Sequence, residues 1–186
     1  MRIRARWNKH AREQSLEDIA GALNVICWKI TTQVVLELEN KGYKTHSNAH
    51  RLEIIGELLA FLLQIVDRLV YEQLEEEDRH RLVSTLAARM IDTYVGNQRD
   101  ILGPGEYRKA FIELLNQRAE DYAELSFNNG QAGFDFLRYF GEQVEALMEE
   151  KHWVSQELIS IVGPEAVKVV KKGLQDLFDR PTTHTG

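Results

Sequence analysis

Only one cysteine, Cys27, and three prolines, Pro104, Pro164 and Pro181, occur in the 186 residues. A lone cysteine excludes an internal disulfide and any multi-cysteine metal site, and it fits a reducing compartment. The prolines fall at breaks in the apolar pattern, as expected of helices, whose interiors a proline would disrupt. There is no Gly-rich phosphate loop, no His-Glu-x-x-His pair, no zinc-finger spacing and no Ser–His–Asp order that stands out. No cofactor and no metal are expected. No convincing strand is legible either, because β-branched runs such as residues 31–35 sit inside helical stripes.

A long apolar run is also missing. Within the most apolar helix the longest uncharged stretch is residues 58–66. That falls short of the roughly 20 residues a hydrocarbon core requires. No membrane span is expected. The basic N-terminus is not followed by the apolar segment of a secretory signal. These absences predict a soluble, cytoplasmic protein.

What the chain does have is one stretch, residues 52–70, reading LEIIGELLAFLLQIVDRLV. It is apolar around most of a helix and leaves one thin polar seam. A helix written this way must be covered by others, so it predicts the centre of a bundle. The fold expected is all-α: a single-domain bundle of about six helices with one central, mostly apolar helix. It occupies residues 15–178, between a basic N-terminal arm (1–14) and a flexible C-terminal tail (179–186).

The first helix is expected to open at Ser15, with Asp18 completing a capping-box-like start, and to end at Gly42. Ser47 or Asn48 caps the second, which runs to about Gln73. The third follows a charged corner and frays between Gly96 and Leu102. Gly103-Pro104-Gly105 breaks the chain before a fourth helix carrying Tyr107, Phe111, Leu115 and Tyr122. Asn128-Asn129-Gly130 marks a turn. A fifth helix starts near Gly133 or Phe134, as one rod or bent near residues 151–153. Gly163-Pro164 stops it, and Pro164 sits in the first turn of a sixth.

The seam of the second helix holds Glu53, Glu57, Gln64, Asp67, Arg68 and Tyr71, with Ala60 among them. It reads either as the lining of a cavity or subunit interface, or as the helix's only wet edge. The ordinary exposure of charged residues favours the wet edge. Gly56-x-x-x-Ala60 offers a close helix contact, and its place beside the seam suggests one between subunits. Val25, Trp28 and Val35 lie off the main stripe of the first helix and suggest a second contact surface.

Net charge is −6, unevenly placed. Residues 1–12 carry Arg2, Arg4, Arg6, Lys9 and Arg12 without an acid, so the remainder carries −11. An acidic body is a poor nucleic-acid binder. The arm, with Trp7, fits an anionic partner: the acidic body itself, a partner subunit or, less readily, nucleic acid or an anionic membrane.

Two Glu-x-x-His spacings, Glu77–His80 and Glu149–His152, match the ligand pattern of di-metal bundles, with Glu53 and Glu124 as further carboxylates. Both spacings lie off the apolar stripes, whereas such ligands point inward, so they read as solvated charge. Cys27 reads as a small buried hydrophobe. The aromatics Tyr107, Phe111, Tyr122, Phe134, Phe136, Tyr139, Phe140 and Trp153 read as core.

The function these features favour is a non-enzymatic interaction or assembly module, working as a homo-oligomer or with another protein. The alternatives are a small-ligand-binding or di-metal carboxylate bundle enzyme, and a nucleic-acid-associated protein acting through its arm.

Overall fold

The computed structural model describes the backbone of residues 9–148 and 153–179, and the side chains from residue 16 within those ranges. It is an all-α bundle. Its helices are α1 (Lys9–Asn40), α2 (Asn48–Tyr71), α3 (Glu76–Leu102), α4 (Tyr107–Ala123), α5 (Phe134–Leu147), α6 (Trp153–Glu157) and α7 (Gly163–Phe178). A π-helical turn, Leu158–Val162, joins α6 to α7, so the described residues make six rods.

Helix α2 is the centre. Seventeen of its 24 residues are buried, and it packs on α1, α3, α4, α5 and α7. Each buried Leu, Ile or Phe contributes about 1.5–3 kcal/mol of apolar transfer, which explains why this helix organises the others. Phe61 stacks on Phe140 at 3.8 Å, with Tyr122 and Phe136 tilted around it. The expected aromatic core is there for Phe111, Tyr122, Phe136 and Phe140, while Phe134 and Trp153 are exposed.

The termini follow local chemistry. Ser47 caps α2, its hydroxyl accepting from His50 N–H. After α1, Tyr43 N–H reaches Leu38 O and Gly42 N–H reaches Glu39 O, with Gly42 at φ +94°. That is a Schellman ending, and its left-handed position takes glycine without strain. Three acids, Glu76, Glu77 and Asp78, occupy the first turn of α3, where the helix dipole favours them.

Several expectations need correcting. Helix α1 reaches back to Lys9 rather than opening at Ser15. Residues 9–14 (KHAREQ) hold good helix formers and no Gly or Pro, so nothing stops the helix there. Helix α3 does not fray after Gly96 but runs to Leu102 and ends at Gly103, at φ +89°. A two-stranded hairpin pairs Phe127–Asn128 with Gln131–Ala132. Its turn residues Asn129 and Gly130 both take positive φ, as a type I′ turn requires.

Helix α5 stops at Leu147, where Met148 turns extended. The bend expected at residues 151–153 falls mostly outside the described residues, as do Glu149 and His152. Gly163-Pro164 is not a stop. Pro164 has no N–H to give Ser160 O, and the backbone widens into the π turn instead, with Gly163 N–H bonding Leu158 O. A Cβ at Gly163 would lie 2.6 Å from Leu137 Cδ2, so glycine lets this turn press on α5.

The second surface suggested on α1 is smaller than expected. Val35 is core and Trp28 packs against the core; Val25 is exposed, and so is Leu36. By length and composition one helix among the described residues, over Leu16–Asn40, is apolar enough to cross a membrane. It also packs on α2, α3 and α7, and the core helix of a soluble protein passes the same test.

Candidate functional site

Helix α4 lies along the polar seam of α2 and divides it into two unlike parts. Leu114 of α4 approaches Gly56, Arg118 meets Glu57, and the end of α4 meets Arg68. The contact at Gly56 is thus made inside one chain: a Cβ there would lie 2.9 Å from Tyr94 Oη and 3.5 Å from Leu114 Cδ2. Tyr94 uses the space to donate its hydroxyl to Leu52 O at 2.8 Å.

The first part is a closed knot between α2, α4 and α5. Glu57 is buried, with its carboxylate gripped by Arg118 at 2.6 and 2.8 Å, one oxygen per guanidinium nitrogen. Arg118 also reaches Tyr139 Oη at 3.2 Å and Asp121 Oδ2 at 3.4 Å. Tyr139 donates its hydroxyl to Asp121, and Gln117 donates to the other oxygen of Asp121 at 3.0 Å. A buried carboxylate survives only when charge and hydrogen bonds are both met, and a bidentate guanidinium meets them.

Every resolved shift in this knot runs away from neutrality. Glu57 raises Arg118 further, first through the hydrogen bond. The Tyr139 hydroxyl holds Asp121 below the usual carboxylate range. Burial raises Tyr122 and Tyr139, and for Tyr139 the bond to Asp121 adds to it. A general acid or base works best with a pKa near the operating pH, so these four groups are suited to holding helices and not to moving protons.

The second part is an open groove floored by α2 and walled by α3 and α4, with a volume of about 680 Å³. Leu63 and Gln64 form its floor. Val83, Ser84, Ala87 and Ile91 come from α3, and Ile112, Leu115, Asn116, Ala119 and Ala123 from α4. At one end lie Asp67, Arg68, Tyr71, Glu76, Arg79 and His80. Asp67 accepts from Arg79 at 2.7 Å, and the Arg79 guanidinium sits 4.9 Å over the Tyr71 ring. Arg68 donates to Tyr122 O at 2.7 Å and Ala123 O at 2.8 Å, so it ties α2 to the last carbonyls of α4, of which Tyr122 O also accepts from Leu125 N–H.

Gln64 differs from its neighbours. Only 8% of it is exposed, it lines the groove, and no hydrogen bond joins it to any of the described residues. Among the described residues the fully buried side-chain polar atoms without a partner are Asn24 Oδ1 and Gln98 Oε1, whereas the Gln64 amide opens to the groove, where water or a ligand can meet it.

Of the seam residues, then, Glu57 enters the knot, and Gln64, Asp67, Arg68 and Tyr71 line the groove. Glu53 is exposed near the start of α2 and joins neither. Lys9 and Arg12 lie on the backbone of α1, while Arg2, Arg4, Arg6 and Trp7 fall outside the described residues. Glu77 and His80 are exposed at the start of α3, and among the described residues no three His, Cys, Asp or Glu stand where they could hold a metal ion. Burial pushes the Cys27 thiol up to about 12, so it is no nucleophile at neutral pH.

The sequence reading missed Arg118. A signal was there: Phe111, Leu115, Arg118 and Tyr122 follow a 4-3-4 spacing, which puts an arginine on the buried stripe of α4 and calls for an acid opposite it. No protein-family model, no curated protein and no solved structure matches the chain.

Proposed function

We propose that this protein is a non-catalytic interaction module that receives an amphipathic helical segment in the groove between α3 and α4. The observation that carries the reading is the trough itself: Leu63, Val83, Ala87, Ile91, Ile112 and Leu115 line it, and the unpartnered Gln64 amide opens into it from the floor. The shape agrees with it. The lining from Glu76 to Ile91 corresponds to about 22 Å of helix. Small residues on both walls, Ser84, Ala87, Ala119 and Ala123, leave room for a backbone to approach closely. Apolar walls with a polar end are what a helix-in-groove partner reads. The polar end is close to charge-balanced, Asp67 and Glu76 against Arg68 and Arg79, which suits a partner of mixed polarity. The single buried thiol is in keeping with a cytoplasmic setting.

A display library of helical peptides, selected on the wild-type chain and counter-selected on Ala87→Trp, tests this. The introduced indole fills the trough, and Ala119→Trp serves as a second block from the opposite wall. Recovery of peptides with apolar residues at i, i+3 or i+4, and i+7, binding wild type about tenfold or more tighter than both variants, is the expected result. No enrichment, or equal binding to wild type and blocked chains, contradicts it.

A further inference from the structure

Gln64 stands near the middle of the groove floor. Two contacts fix the register of α2 against α3: Tyr94 on Leu52 O, and Arg79 on Asp67. Leu52 to Asp67 and Arg79 to Tyr94 are equal steps along antiparallel helices, so Gln64 lies level with Leu82. The groove lining on α3 extends from Glu76 to Ile91, which puts that level close to its midpoint. Beyond Gln64 in one direction the lining is apolar, with Ile91, Ile112 and Leu115; in the other it is charged, with Asp67, Arg68 and Arg79. The polar groups around the amide are engaged elsewhere. Asp67 holds Arg79 with both oxygens, at 2.7 and 3.4 Å, and Arg68 donates to the end of α4. Ser84 donates to Arg81 O at 3.2 Å, and Asn116 is exposed on the α4 wall.

On the reading of the groove as a helix-binding site, we infer that Gln64 selects its partner: a helix whose apolar stripe is broken once, near the middle, by an asparagine or glutamine. In the open trough water can meet the Gln64 amide. A helix that fills the trough displaces that water, and the occupant must then replace its hydrogen bonds or lose affinity. A carboxamide has both donors and an acceptor, so a second carboxamide complements it best, each N–H donating to the other's C=O. A hydroxyl offers one donor. An ionised side chain would give up its hydration to a neutral partner. A leucine would leave the Gln64 amide buried and unmet. One buried amide inside an apolar helix contact also fixes register, because every shifted alignment sets amide against hydrocarbon. Gln64 thus decides which amphipathic helices the groove accepts and where along it they stop.

The peptide library described above, randomised at every stripe position, tests this when it is selected separately on wild type and on Gln64→Leu. Wild type is expected to enrich asparagine or glutamine at one stripe position, and Gln64→Leu to enrich leucine or methionine there. The tightest wild-type binder is then made with asparagine and with leucine at that position. On wild type the leucine version should bind about tenfold more weakly, because it buries an unmet amide. On Gln64→Leu the order should reverse, since the peptide's own amide is now the unmet one. Gln64→Met keeps the length of the side chain without its hydrogen bonding, and should behave as Gln64→Leu does. Thermal unfolding of both variants verifies that each is folded.

Binders that prefer wild type to Ala87→Trp but show no amide in the stripe, or whose leucine version binds wild type as tightly, overturn the selector role and leave the groove standing. A preference for asparagine that persists on both Gln64 variants overturns it as well, since another residue then reads the amide. Peptides that bind Ala87→Trp as well as wild type sink the groove reading, and the role of Gln64 with it.

Discussion

Glu57 and Gln64 stand two turns apart on one helix, each 8% exposed, yet one is fully satisfied and the other has no partner among the described residues. At Glu57, α4 and α5 close in, and Arg118, Asp121 and Tyr139 complete the hydrogen bonding. At Gln64, α3 and α4 stand apart and leave a trough. The difference teaches that burial of a polar side chain is not one condition. Burial with partners fixes helices against each other, whereas burial beside a void keeps an amide available.

Breaking the knot has the largest expected effect. Arg118→Ala leaves the Glu57 carboxylate buried without its partner, and urea denaturation is expected to show a loss of about 3 kcal/mol or more. Replacing both partners, Glu57→Met with Arg118→Met, should recover most of that loss, because two apolar side chains need no counter-charge. Gly56→Ala comes next. The new methyl meets Tyr94 Oη at 2.9 Å and dislodges its bond to Leu52 O, for about 1–2 kcal/mol after the gain in helix propensity. Arg68→Ala strips the donor from the carbonyls at the end of α4 and costs about 1 kcal/mol by the same denaturation assay.

A smaller effect depends on pH. The folded state depresses the Asp121 carboxyl. Its contribution is therefore fully present above the unfolded value of about 4 and is lost as pH falls through the folded one. Thermal unfolding followed from pH 7 downward should show a gentler acid limb for Asp121→Asn than for wild type. The smallest effect belongs to the groove. Gln64→Leu removes an amide that no described residue satisfies, so stability should change by less than about 0.5 kcal/mol or rise slightly. A loss as large as that of Arg118→Ala would erase the contrast between the two regions.

How far the sequence spoke for itself follows the same division. The central place of α2 was legible because 15 of its 24 residues are apolar and no surface helix can carry them. Gly42 and Ser47 were legible because caps are local chemistry. Pro164 sits in the first turn of the last helix as expected, but the break before it was misread, since a missing N–H has two remedies, a stop or a π turn, and the packing of Gly163 on Leu137 goes with the second. Asn129-Gly130 carried a strong hairpin signal that the absence of strand-like flanks concealed. The seam was found, but its two fates were not. Whether Glu57 meets an arginine and Gln64 a void depends on how α4 is laid across α2, which no local pattern encodes.

The most direct measurement is calorimetric titration of one selected helical peptide into wild type, into Ala87→Trp, and into the Glu57→Met/Arg118→Met chain. The groove variant is expected to lose at least about tenfold in affinity while the knot variant binds like wild type. Undiminished binding to Ala87→Trp, with binding lost from the knot variant, would contradict it.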